Sequence, residues 1–175
     1  NQQVGKILSI RFCVLLSITS CFLSHVSIVK GDSQGNFNSG MEAFAQSKYD
    51  IAVSKWKISA AEGHLRAQNG LGVLYRDGLG VEKNPEKALY WFGKSASNGY
   101  AFGMYNLVLF LISEKIGQSQ LRIEAYKWLY LAASLNFDEK VNYELYSLGS
   151  LMNPEEKKSA VQAAQVWFDR FFFGL

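Results

Sequence analysis

The sequence predicts an all-α fold, a right-handed α-solenoid of stacked antiparallel helix pairs finished by a C-terminal capping helix. Three observations predict it. The run Gly63-His64-Leu65-Arg66-Ala67, followed by Leu71-Gly72 and Tyr75, returns 36 residues later as Gly99-Tyr100-Ala101-Phe102-Gly103, followed by Leu107-Val108 and Leu111. Ala52 and Ala88 keep the same spacing, and a fixed period in this range marks a stacked array of helical repeats. Glycine and alanine alternate with bulky aromatics at helical spacing, as close helix packing needs. Finally, 49% hydrophobic residues, 19% charged residues and two prolines suit a folded, helix-rich chain of 175 residues with a core of its own.

The first 31 residues read as a leader. Lys6 and Arg11 precede the apolar run Phe12 to Ser20, a positive segment followed by a hydrophobic one of the length a secretory signal needs. Ile18-Thr19-Ser20-Cys21 resembles a bacterial lipobox, which makes Cys21 a candidate for lipidation. Cleavage after Val29-Lys30-Gly31 and an uncleaved anchor from Ile7 to Val29 remain the alternatives, and the last is long enough to cross a bilayer. Each route exports the domain, to the periplasm, to a membrane tether or to the exterior. Residues 32–36 are expected to be a polar tether, and residues 37–175 the repeat domain.

The elements follow in order. Helices are expected over 37–47 and 49–62, then 65–76 and 85–98, then 100–115 and 121–136. Residues 137–152 and 154–172 close the array, so the pairs run about 37–63, 64–99 and 100–136, with a cap over 137–173. Gly72 lets the first helix of its pair approach Ala88 and Ala96 on the second, while Tyr75, Trp91 and Phe92 fill the remaining space. Asp77-Gly78-Leu79-Gly80-Val81 joins the two helices, its glycines free to take positive φ. Asn84 caps the next helix with Pro85 in its first turn. Gly63 and Gly99 turn the chain into the next repeat. Asn153 and Glu156 form a capping box around Pro154.

Residues Ala67 to Gly99 resemble a nearly complete Sel-1-like repeat, a relative of the tetratricopeptide repeats with a longer Gly-x-Gly-Val loop. The matching positions are Leu71-Gly72, Tyr75, Gly78, Gly80-Val81, Lys87-Ala88, Trp91-Phe92, Lys94, Ala96 and Gly99. The first pair, with Gly40, Ala43, Tyr49, Ala52 and Trp56, is similar to the shorter tetratricopeptide form. The third replaces the glycine loop with Ser113 to Ser119 and recovers the pattern at Glu124 to Leu129 and Ala132-Ala133. The similarity covers roughly residues 37–170, and with the leader it implies a member from the bacterial envelope.

Charge and composition narrow the function. Lys6, Arg11 and Lys30 account for the net charge of +3, because from Asp32 onward 15 basic residues meet 15 acidic ones. No basic stripe remains to neutralise phosphates, so no nucleic-acid partner is expected. Both cysteines lie in the leader, and His25 and His64 are the only histidines. That provides neither a metal-ligand cluster nor a nucleophile–base pair, so no catalysis, metal or cofactor is expected, and His64 reads as an interhelix loop residue. The terminal run Trp167-Phe168 and Phe171-Phe172-Phe173 reads as a cover for the open end of the array.

The resemblance implies that the first helix of each pair lines a concave groove for a protein or peptide ligand. Carried over by position, that groove comprises Phe37, Met41 and Phe44, then Arg66, Asn69, Val73 and Arg76, then Phe102, Tyr105, Leu109 and Ile112. Its aromatics and two arginines suit a peptide with apolar anchors and a carboxylate. The alternative for these residues is the inside of a compact array. The implied function is a monomeric protein-interaction scaffold that touches a membrane only through its N-terminal segment. The alternatives are an envelope enzyme, or a factor regulating one, acting on cell-wall peptides, and an adaptor in a eukaryotic secretory compartment.

Overall fold

Local capping and glycine geometry mark most of the helix boundaries. A computed structural model describes residues 31–113, 119–135 and 138–174, and among these every element is helical. Helix α1 spans Gly31–Ala45, α2 Tyr49–Ala61, α3 Leu65–Asp77 and α4 Pro85–Ser97. Helix α5 spans Ala101–Ser113, α6 Ser119–Ser134, α7 Glu139–Ser150 and α8 Pro154–Phe173. Asn84, Asp138 and Asn153 each accept a backbone N–H of the helix they precede, and Pro85 and Pro154 sit in the first turns. Gly78 ends α3 at φ 73°, and Gly63 and Gly99 turn at 91° and 88°, left-handed angles at which a side chain is strained.

Several boundaries depart from the sequence reading; α6, for one, starts at Ser119 rather than at 121. The expected tether at 32–36 is part of α1. Its glycine, serine and asparagine are weak helix formers, but tertiary contacts outweigh propensity. The carbonyl of Ser33, a buried residue, accepts the Ser59 hydroxyl at 2.8 Å, and Gln34 bonds Asn38 one turn on at 2.8 Å. Helix α7 starts at Glu139 because the Asp138 carboxylate takes the Lys140 amide at 2.8 Å; Phe137, the expected start, lies outside the described residues. Residues 1–30, with Cys21 and the three routes read from them, also lie outside.

Neighbouring helices pack in sequence, α1 on α2 through to α6, and α6 then carries both α7 and α8. This is the α-solenoid of helix pairs that the repeat spacing predicts. Two clusters form its core. Trp56 centres the first, with Phe37, Val53, Leu71 and Leu74. Phe92, Met104, Val108, Trp128 and Leu129 build the second, which Ala164 and Trp167 of α8 close. Val81 and Trp91 touch both clusters and join the pairs into one body. Phe92 is fully buried against Gly72, where an added Cβ would lie 2.5 Å from its ring. Burying such a ring is worth about 1.5–3 kcal/mol. Gly80 combines φ 68° with an approach that would put a Cβ 2.3 Å from the Tyr49 backbone, so the glycine loop packs down on the previous pair.

Buried polar groups tie the repeats. Gln68, fully buried, donates to the Ala60 carbonyl at 3.2 Å and accepts from Asn98 at 3.3 Å, linking α2, α3 and the end of α4. The Ser95 hydroxyl donates to the Leu65 carbonyl at 3.0 Å, as Ser59 does to Ser33 one repeat earlier. Each bond satisfies a group that would otherwise be buried without a partner.

Candidate functional site

The first helices of the pairs, α1, α3 and α5, bear the expected groove residues, and side chains link them across the row. The Arg66 guanidinium of α3 lies over the Phe37 ring of α1, 4.8 Å from its centroid. Asn106 of α5 donates to Asn69 of α3 at 2.9 Å. Tyr105 of α5 donates to Glu144 of α7 at 3.1 Å. These contacts join α1 to α3, α3 to α5 and α5 to α7.

One of the predicted groove residues, Phe37, needs correction. Phe37 is only 2% exposed; it stacks between His64 at 4.3 Å and Trp56 at 6.3 Å, so it belongs to the core and serves as a platform for Arg66. Arg76 is held in a fork by its neighbour Asp77, at 2.7 and 2.8 Å, an exposed pair that holds the Asp77 carboxyl below its usual range. Phe44 is half-buried, stacked on Trp56 at 5.5 Å and edge-on to Tyr49 at 5.4 Å. Val73 and Leu109 are half-buried, and Met41, Arg66, Phe102 and Ile112 are exposed. Phe102, at 53% exposure, is the most open aromatic of the set.

Beside Phe102 the face deepens into a cavity of about 330 Å³ lined by Phe102, Tyr105, Asn106, Asp138, Lys140 and Val141. Four of these six escaped the sequence reading. Asn106 has an Asn69 partner 37 positions away, and Asp138, Lys140 and Val141 arrive only because α7 folds back against α6. The cap at Asp138 is the one local cue that a helix start lies here. The Lys140 ammonium sits 6.0 Å from the Tyr105 ring centroid, and the Tyr105 hydroxyl and then the Glu144 carboxylate hold its pKa above the ordinary value. Apolar walls with amide, carboxylate and ammonium groups give the cavity the means to seat one side chain and orient its backbone.

His64 is a cap rather than a free loop residue. Its Nδ1 accepts the Ala67 amide at 3.3 Å, which leaves the proton on Nε2, 3.2 Å from the Gln34 carboxamide oxygen. Burial and then the nearby Arg66 charge push its pKa below the ordinary 6.5. The neutral ring is therefore committed to structure, and protonation as the pH falls below that range opposes folding. Among the described residues, no group of three or more His, Cys, Asp or Glu is placed to hold a metal ion. No helix among them is long and apolar enough to cross a membrane.

Residues 65–100 and 116–137 match the family pattern described as the Sel1 repeat. Two stretches of the chain, about a third of its length, are thus similar to Sel1 repeats. The first match spans α3, the glycine loop and α4, so the Gly72–Phe92 contact lies inside the matched stretch and the Gly80 approach joins it to the pair before it. Over 51 residues, 29% of this chain, the sequence is 44% identical to a putative sel1-like repeat-containing protein L21 of Acanthamoeba polyphaga mimivirus. That match spans 10% of the viral protein's length. The fold is similar to that of a protective antigen present in uropathogenic Escherichia coli strains, whose structure displays an SLR fold. The TM-score is 0.72 at 21% identity, over 81% of this chain and 31% of the other. At that identity the likeness concerns the fold. The second Sel1 match runs through α6, so the first pair, α1 with α2, lies outside both matched segments. Its Gly40–Trp56 contact nevertheless mirrors Gly72–Phe92, since a Cβ at Gly40 would lie 2.3 Å from the indole.

Proposed function

We propose that the chain is a non-catalytic interaction scaffold whose α1–α3–α5 face holds an extended peptide segment of a partner protein. The observation that carries this reading is the exposed Phe102 at the mouth of the cavity it shares with Tyr105 and Val141. A partner's apolar side chain fills that cavity, and open aromatics beside a pocket are the usual anchors of such contacts. Arg66, poised on Phe37, takes a carboxylate of the same segment. The remaining face supplies the Asn69–Asn106 amide pair for the peptide backbone. Selection of displayed random peptides on the full chain tests this. Enriched peptides should lose binding with Phe102→Ala and Arg66→Glu and keep it with Tyr90→Ala, on the exposed surface of α4. Enrichment indifferent to both face substitutions would reject the reading.

We also propose that the scaffold is exported and held at a membrane. The support is the sequence before Gly31, with Lys6 and Arg11 ahead of an apolar stretch and Cys21 in a lipobox-like setting. Several acyl chains on Cys21 would anchor the protein firmly where one would not. Intact mass of the protein from its native membrane fraction decides the lipid question: a mature chain starting at Cys21 with added acyl mass is expected, and a start at Asp32 without lipid would rule out that attachment.

A further inference from the structure

The charges around the cavity beside Phe102 do not cancel. Asp138 and Lys140 line it, and Glu144 joins them through the Tyr105 hydroxyl, which its carboxylate accepts at 3.1 Å. One ammonium therefore meets two carboxylates there. Glu139, exposed in the first turn of α7, adds a third nearby. The Lys140 ammonium sits on the Tyr105 side of the cavity, 6.0 Å from that ring's centroid. Arg66, a cation further back along the row of helices, lies over Phe37 and is not among the lining residues.

Two of the lining groups suit a cation. Asp138 caps α7 by accepting the Lys140 amide at 2.8 Å through one oxygen, and a carboxylate has a second oxygen to accept with. The Phe102 ring, 53% exposed, presents a negative π face and is steadied by Tyr100, whose ring centroid lies 5.6 Å away. An anion at the same place would have Lys140 for it and Asp138 and Glu144 against it.

We propose that the segment held at this cavity is basic, with an arginine next to the apolar side chain that fills it. The guanidinium lies across the mouth, flat on the Phe102 ring and paired with the Asp138 carboxylate. Arginine fits better than lysine, because its planar head stacks on a ring while its N–H fork bonds a carboxylate. The inference deepens the scaffold reading and rests on it. It also gives the partner a charge pattern, an acidic residue for Arg66 on α3 and a basic one for Asp138 at the start of α7. That pattern sets the direction in which the segment lies on the row.

Calorimetric titration of the full chain tests this, with Asp138→Asn as the main variant. Asparagine caps a helix as well as aspartate does, so the substitution removes the charge and keeps the start of α7. The probe is the strongest binder from a displayed library of random peptides, synthesised as selected and with each arginine replaced by citrulline, which has the same shape and no charge. The selected peptides are expected to carry arginine beside an apolar residue. Citrulline should weaken binding about tenfold and Asp138→Asn about threefold. In Asp138→Asn the citrulline loss should shrink to about threefold, because the ion pair is already gone. Lys140→Met should tighten binding by removing a competing cation. Selected peptides without arginine, citrulline and Asp138→Asn losses that simply add, or weaker binding with Lys140→Met would overturn the basic occupant and leave the scaffold reading standing. A library from which nothing is enriched would reject the scaffold reading and this inference together.

Discussion

Glu156 fastens the closing helix at the level of single atoms. Its carboxylate accepts from the Ser119 hydroxyl, from the Asn153 amide at 3.0 Å and from Arg122 at 2.8 Å, joining the start of α8 to the start of α6. These bonds, the Ser119 hydroxyl foremost, hold its pKa at about 2 against an ordinary 4.5. A depressed carboxylate adds stability above its unfolded pKa and loses it as the pH falls through the folded one. The melting-temperature gap between the native chain and Glu156→Gln should therefore be widest near neutrality and shrink from about pH 4.5 towards about 2. A gap constant with pH would show that the bonds are not electrostatic in the folded protein. Half of this site was legible in the sequence. The Asn153–Glu156 box is a local pattern and forms as expected. Ser119 and Arg122 lie 37 and 34 positions away and carry no local mark of the pairing. Arg76 carries its partner beside it, since the adjacent Asp77 holds its guanidinium in an exposed pair.

At the scale of helices, what the sequence marked were positions where size alone decides. Gly72 and Phe92 meet because a residue without a side chain faces a ring, and Gly80 has the backbone of Tyr49 where a Cβ would go. Such pairs repeat with the period and survive exchange of one aromatic for another. Gly72→Leu should overpack α3 against α4 and cost about 1–3 kcal/mol. Chemical denaturation measures it, and an unchanged midpoint would place this contact elsewhere. The start of α1 illustrates the limit. Residues 32–36 have a tether's composition, and the bonds to Ser59, Asn38 and His64 with the packing of Phe37 beneath His64 make them helical. Local composition holds no trace of a partner contributed by another element. The cavity beside Phe102 is the same case, since Asp138, Lys140 and Val141 arrive on a helix whose docking depends on the third pair.

Over the whole molecule the period is a record of which residues share an environment. Ala60, Ala96 and Ala132 stand 36 residues apart and are all fully buried, and Trp56, Phe92 and Trp128 keep the same register at 5% exposure or less. The core is thus built three times from one plan, and the face on α1, α3 and α5 is the surface that this plan leaves free to vary. Phe102 and Arg66 differ from their counterparts in the neighbouring repeats because no packing rule fixes them, and for that reason the period could not say which groove positions would be open. Under the proposed function that face is where a partner sits. Photocrosslinking is the most direct measurement. Benzoylphenylalanine in place of Phe102 on the α5 face, and in place of Tyr90 on α4, is irradiated with a peptide selected on the native chain. An adduct at position 102 and none at position 90 is expected; an adduct at 90 alone would place the partner on the other side of the solenoid and contradict the proposed function.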